Sequence, residues 1–142
     1  MRRLRKFVAL SGAERMLIVR ALATVLVVRA GVSLLPFRRV RAAVDRHTLT
    51  QRPAVRGGDP GRIGWAVRAV SGVVPGASCL TQALAAQLLL AQAGQPSELH
   101  LGVKRSEQGL VAHAWVTSGE VVVVGGEERG AFTPLVRAGR SS

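Results

Sequence analysis

The only cysteine of the chain, Cys79, lies where a turn gives way to a long apolar segment with helical spacing. Pro75 and Gly76 indicate the turn, and Ser78 is a suitable N-cap, which makes Cys79 the first residue of a helix over 79–93. The unpaired N–H groups at a helix start favour the thiolate, the nucleophilic form of cysteine, and they can hold an oxyanion. Position alone also fits a small core residue, so both interpretations stay open at this point.

Three histidines could supply the general base that a nucleophilic thiol requires. His47 falls in the basic first part of the chain. His100 falls in a strand, on the face turned away from its leucines, where we expect it to be exposed. His113 falls on the middle strand of three, between two alanines and on the same face as Trp115. An imidazole in such surroundings fits a cleft better than a core, so we predict that His113 and Cys79 meet in an arrangement for nucleophilic catalysis.

The elements that must position these residues follow from hydrophobic periodicity. Apolar residues at helical spacing predict four helices, over 14–30, 37–47, 60–72 and 79–93. Alternating apolar and polar residues predict three strands, over 97–104, 110–116 and 121–124, with a hairpin at "TSGE". Helices followed by an antiparallel meander indicate an α+β fold, in which the central helix carrying Cys79 packs on the sheet. We divide the chain into a basic helical N-terminal region, 1–50, and a core, 59–142, which form one compact domain.

Composition narrows the classes of function. The chain has 142 residues and a formal net charge of +12, which predicts an anionic partner such as nucleic acid, a membrane surface or an acidic protein. Aromatic residues do not interleave with the basic ones for base stacking, so we expect no nucleic-acid binding. A single cysteine allows no internal disulfide and fits a cytoplasmic protein. The sequence has no zinc-ligand cluster and no phosphate-binding glycine loop, so we expect no metal and no cofactor.

The segment 16–36 is apolar enough to resemble a membrane span, but it contains Arg20 and Arg29. Each arginine would cost about 3 kcal/mol at the centre of a bilayer. The two are nine residues apart, so they fall on roughly opposite sides of one helix. We expect a soluble protein in which the arginine stems are buried and their heads exposed, or in which the helix breaks near Gly31. Weak association with an anionic membrane surface is one interaction that the charge allows.

The stretch from Asp59 to the C-terminus resembles the lasso-peptide leader peptidases in their short, stand-alone form. Three features carry this resemblance: the Cys-Leu-x-x-Ala-Leu run from Cys79, Gly102 with Val103, and His-Ala-Trp at 113–115. The basic helical start, with "LLPFRR" at 34–39, is similar as well. The resemblance implies a transglutaminase-like cysteine protease with a core like that of papain.

Such a protease removes the leader from a ribosomally made precursor peptide, and a separate lasso cyclase then closes the freed core. By this resemblance, Cys79 is the nucleophile and His113 is the base. The implied partners are the precursor peptide, the cyclase and a small recognition protein that binds the leader.

One part of the superfamily pattern has no counterpart in the sequence. The superfamily usually orients its histidine with an aspartate on the next strand, but both aspartates of this chain precede Cys79. Counting through the hairpin with Thr117 opposite Glu120 places Val124 across from His113, and a register one residue longer places Gly125 there. A backbone carbonyl or a water could orient the imidazole instead.

Three further residues remain candidates for parts of the site. Glu127 and Glu128 are close in sequence but follow the expected end of the strand, and Gln82 is either an oxyanion donor or a helix-surface amide. The missing carboxylate also motivates an alternative function, a non-catalytic scaffold of the same fold that presents the precursor to partner enzymes. The charge motivates a third, a binder of nucleic acid or of membrane surfaces.

Overall fold

The helices come first in the chain, and capping residues start three of them. The computed structural model describes residues 5, 8–50, 59–107, 109–125 and 133–141. At 47–50, 104, 106 and 133–141 it describes the backbone only, so the predicted candidate His47 lies outside the described side chains. The helices of this part are α1 (Gly12–Leu34), α2 (Phe37–Thr50), α3 (Pro60–Ser71) and α4 (Cys79–Gln92). Ser11 and Glu14 form a capping box before α1, and the Asp59 side chain caps α3. The four predicted helices are confirmed, and α1 runs unbroken past Gly31.

The strands form one antiparallel sheet of four in the order β3-β2-β1-β4. They are β1 (Ser97–Ser106), β2 (Gly109–Ser118), β3 (Val121–Val124) and β4 (Thr133–Ser141). The predicted meander of the first three strands is confirmed, and the α+β class with it. β4 was not predicted, because "TPLVRAGRS" contains a proline and a glycine and its apolar and polar residues do not alternate regularly. This strand pairs with the outer edge of β1.

The hairpin between β2 and β3 has a different register from the predicted one. Thr117 pairs with Val122, and the loop between the strands has two residues and contains Gly119 at φ +59°. An irregularity beside Thr117 then brings Val124 opposite Val116. The prediction that Val124 lies across from His113 is therefore wrong. The offset of about three residues has two sources: the hairpin pairs Ser118 with Val121 instead of Thr117 with Glu120, and the irregularity beside Thr117 adds one residue that counting along the sequence could not find.

The core lies between the helices and one face of the sheet. On the sheet, Leu99 pairs with Val116 and Leu101 pairs with Ala114, and this face contributes buried side chains to the same cluster as α4. The amide Nε2 of Gln87, in α4, donates to Ser97 Oγ at 3.3 Å and fixes that helix beside the start of β1. The predicted packing of the central helix on the sheet is confirmed.

A buried polar chain attaches α2 to this core. Arg41 donates from Nη1 to Gln87 Oε1 at 2.9 Å, and the same amide donates onward to Ser97. Burial lowers the pKa of the Arg41 guanidinium, and the nearby carboxylate of Asp45 opposes that change. Gln87 is 2% exposed, so its hydrogen bonds form where water cannot replace them.

Replacing Gln87 with leucine should therefore destabilise the fold. The substitution removes one hydrogen-bond acceptor from Arg41 and one donor from Ser97 at a buried position, which should cost about 1–3 kcal/mol of unfolding free energy. Urea unfolding would show this as a lower midpoint with an unchanged slope. Gln82→Leu, half-buried on the same helix with one long hydrogen bond of 3.5 Å, is the matched control and should change stability much less. Equal losses of unfolding free energy in the two variants would contradict a structural role for the hydrogen bonds of Gln87 with Arg41 and Ser97.

Candidate active site

Cys79 is the first residue of α4, as the sequence predicts. The Ser78 side chain caps the helix by accepting from the Thr81 N–H at 3.3 Å. Cys79 itself is half-buried and packs against the hydrophobic core. Gln82 donates from Nε2 to the Ala77 carbonyl at 3.5 Å, so its amide lies against the turn that leads into Cys79. A thiol so placed lies among the unpaired N–H groups of a helix start, which suit both a thiolate and an oxyanion.

The turn before Cys79 is held by an arginine of α1 that sequence analysis did not connect with the site. Arg29 donates from Nε to the Pro75 carbonyl at 3.2 Å. Gly76, the next residue, has φ +75°, and a Cβ there would lie 2.5 Å from the Arg29 guanidinium. The glycine thus permits both the backbone conformation and the close approach of the arginine. No local pattern could reveal this contact, because 46 residues separate the two partners.

His113 lies on β2 and is oriented by a backbone carbonyl. Its Nε2 lies 2.8 Å from the Gly125 carbonyl oxygen. A carbonyl oxygen only accepts hydrogen bonds, so Nε2 donates and Nδ1 is the basic nitrogen of the neutral ring. Of the two orienting groups that the sequence left open, a carbonyl or a water, the structure provides the carbonyl.

Gly125 can supply this carbonyl only because it has no side chain. Its φ is +75°, and a Cβ would lie 2.7 Å from the Ala114 carbonyl oxygen and 2.9 Å from Trp115 Cβ. A residue with a side chain would have to push the strand away. Position 125, one of the two at which a carboxylate was expected, therefore accommodates glycine without displacing the strand. Glu127 and Glu128 lie outside the described residues.

Two imidazoles stack on the Trp115 ring. The His100 and Trp115 rings are stacked with centroids 5.4 Å apart, and the His113 and Trp115 rings are 6.0 Å apart. His100 also bonds Thr117 Oγ1 at 2.9 Å, and Glu98 lies 3.8 Å away. The expected exposure of His100 is wrong, since its side chain is only 15% exposed. Two of its partners, Trp115 and Thr117, come from the neighbouring strand, which the pattern of a single strand does not specify.

Cys79 and His113 lie at about the same level of the molecule. Ser97 is bonded to Gln87, and Cys79 lies eight residues before Gln87, or about 12 Å along the helix axis. The short connection 93–96 reverses the chain, so β1 runs back along α4 and covers that distance in about four residues. This brings the chain to Leu101, which pairs with Ala114, the neighbour of His113.

The His113 side chain nevertheless lies on the face of the sheet that turns away from α4, the helix that carries Cys79. Ala114 and Val116 face α4 and join the core, so alternation turns His113 and Trp115 to the other face. Cys79 packs on the core side. The level follows from the lengths of α4 and β1, and the face follows from alternation on β2, so the roles of Cys79 and His113 as nucleophile and base stay predictions.

Among the described residues, no group of three or more His, Cys, Asp and Glu side chains could hold a metal ion. The chemistry that the residues themselves can provide is that of a thiol at a helix start and of an imidazole held by a carbonyl. Both are groups that acyl transfer uses.

Comparison with protein families gives a match over most of the chain. The family model described as the transglutaminase-like superfamily matches residues 19–137. Comparison with curated proteins and comparison with solved structures find no match. The matched segment begins in α1, so it extends beyond the Asp59-to-C-terminus stretch on which the sequence resemblance mainly rested, and it includes Cys79 and His113. Because it covers most of the 142 residues, the chain belongs to the transglutaminase-like superfamily.

Proposed function

We propose that this protein is a cysteine peptidase that removes the leader from a lasso-peptide precursor before macrocyclisation. Membership of the transglutaminase-like superfamily supports thiol-dependent acyl chemistry, and the run from Cys79 together with His-Ala-Trp at 113–115 supports the narrower assignment. The proposed partners are the precursor peptide, a small leader-binding recognition protein and the lasso cyclase. The proposed site of action is the cytoplasm.

The proposed reaction uses two residues in two steps, and it requires the Cys79 thiol and the His113 ring to come within hydrogen-bonding reach of each other when the precursor binds. His113 takes the thiol proton of Cys79 at Nδ1, and the sulfur attacks the carbonyl carbon at the junction between leader and core. The oxyanion is held by N–H groups at the start of α4, and the carbon–nitrogen bond breaks as His113 returns the proton to the departing core amine. Water, deprotonated by His113, then attacks the thioester, which frees the leader carboxylate and restores the thiol.

The observation that carries the proposal is the 2.8 Å hydrogen bond between His113 Nε2 and the Gly125 carbonyl. It supplies an orienting contact in a sequence that has no aspartate after Cys79, and it selects Nδ1 as the basic nitrogen. A neutral carbonyl stabilises the imidazolium less than a carboxylate does, so we expect slower turnover than a Cys–His–Asp triad would give.

A second candidate function is a scaffold of the same fold that presents the precursor to partner enzymes without cleaving it. Alternation on β2 favours it, because His113 faces away from the side on which Cys79 packs. A scaffold requires the folded domain to bind the precursor, but it does not require the Cys79 thiol.

Alkylation of the only thiol separates the two functions. The purified protein would be treated with iodoacetamide and then mixed with the precursor and the recognition protein, and leader release would be followed by mass spectrometry. A peptidase loses release in proportion to the carboxamidomethylated fraction at Cys79, because no other cysteine is present. The Cys79→Ala variant, given the same treatment, controls for damage elsewhere. If untreated protein releases no leader yet still binds the precursor, the scaffold is the correct function.

A further inference from the structure

We propose that the exposed face of α1 lies on an anionic membrane surface. The face consists of Met16, Val19, Ala23, Leu26, Val27, Ala30 and Leu34, all of which are exposed. Val27 is 69% exposed and Leu34 is 81% exposed, and they belong to a run of exposed apolar residues along one helix, whereas exposed apolar side chains elsewhere usually occur singly. Between Met16 and Leu34, every exposed residue of this helix is apolar except Ser33.

The exposed residues form one continuous surface. At about 100° per residue they fall within an arc of about 100°, and they extend about 27 Å along the helix axis. The opposite side carries Ala21, Val25 and Val28, which are buried in the core. By length and composition this helix could cross a membrane, but one side of it is occupied by protein. A helix that is apolar on its open side and attached to a domain on the other fits the plane of the interface.

The two arginines inside the segment mark the borders of this face. Arg20 bonds the side chain of Gln92, and Arg29 bonds the Pro75 carbonyl. They are about 180° apart on the helix, one at each border between the buried and exposed sides. Because both guanidinium groups are attached to the protein, neither places its charge on the exposed face. Lipid contact would therefore not require moving either charge into hydrocarbon.

Positive charge surrounds the ends of the face, and this selects the kind of partner. Arg15 is exposed near one end, and Arg38 and Arg39 are exposed at the start of α2, beside the other end. Phe37, 41% exposed, is a further exposed apolar side chain at the start of α2. Apolar side chains flanked by arginines match the headgroups and acyl chains of an anionic bilayer. A second copy of the chain is a poorer occupant, because it would bring two such arginine clusters and two charges of +12 together.

Vesicle flotation tests the proposal without any precursor, so its outcome is independent of the peptidase assignment. The parent protein should float with vesicles of phosphatidylcholine and phosphatidylglycerol, less with phosphatidylcholine alone, and less at high salt. Leu26→Gln/Val27→Gln should lower the bound fraction about tenfold or more, because it removes apolar area from the centre of the face. Val73→Gln/Leu110→Gln, which changes two exposed apolar residues outside the face, should bind like the parent.

Two results would overturn the proposal. The first is equal binding of the Leu26/Val27 variant and the parent to anionic vesicles. The second is that the parent protein fails to bind vesicles and light scattering shows it to be a dimer, while the Leu26/Val27 variant is a monomer. A second copy of the chain would then cover the face. Circular dichroism of each variant confirms that a loss of binding does not come from a loss of the fold.

Discussion

Cys79→Ala is expected to lower leader release by at least about a thousandfold when the protein is assayed with the precursor and the recognition protein. The reason is chemical: alanine cannot form the thioester, and the helix start and the imidazole alone leave only the catalysis that oxyanion binding provides. Single-turnover reactions followed by mass spectrometry would measure the rate of the chemical step directly. Precursor binding should be unchanged, since the substitution removes one sulfur atom from a half-buried position.

The matched control for this variant is Ala91→Ser, which lies near the other end of α4 and is also half-buried. It should release leader at the parental rate. Release by Cys79→Ala at the parental rate would exclude Cys79 as the nucleophile. His113→Ala should reduce release to a similar degree as Cys79→Ala; parental activity in this variant would exclude His113 as the base and leave the thiol assignment standing.

Gly64→Ala should cause the largest loss of stability among the glycine substitutions in the helices. α3 packs so closely on β3 at this residue that an added Cβ would overlap the Val123 carbonyl oxygen, which is backbone and cannot turn aside. Separating the helix from the strand should cost more than about 3 kcal/mol. For a chain of this size, that corresponds to a melting temperature lower by about 10 °C.

Gly61→Ala, in the first turn of the same helix, is the control for Gly64→Ala. A Cβ there would come no closer than 3.4 Å to the Asp59 side chain, an ordinary contact. Removing backbone freedom from the unfolded chain should make this variant neutral or more stable by about 0.5–1 kcal/mol. Thermal unfolding of both variants beside the parent would decide the point. An equal effect of the two substitutions would mean that α3 and β3 are further apart than the structure indicates.

The elements themselves could be predicted because local chemistry specifies them. Ser78 before an apolar run fixes the start of the helix at Cys79, and Asp59 with Pro60 does the same for α3. Alternating residues specify β1 and β2 because one face of each strand contributes apolar side chains to the core, Leu99 from β1 and Ala114 and Val116 from β2. These signals depend on neighbours within a few positions, which are visible in the sequence. β4 carries no such signal, since its pairing with β1 does not require alternation.

The site depended on contacts between residues that are distant in the chain. The hairpin register and the irregularity beside Thr117 moved Val124 away from its expected place across from His113, and the Gly125 carbonyl bonds the imidazole. Arg20 and Arg29 presented a contradiction in the sequence, two charges on opposite sides of an apolar helix, and the structure resolves it by binding each to a different part of the protein. Local patterns specify which face of an element is apolar. Which of two apolar faces becomes buried, and which side of a strand meets the thiol, depends on how the helices and the sheet pack together, and that is a property of the folded chain.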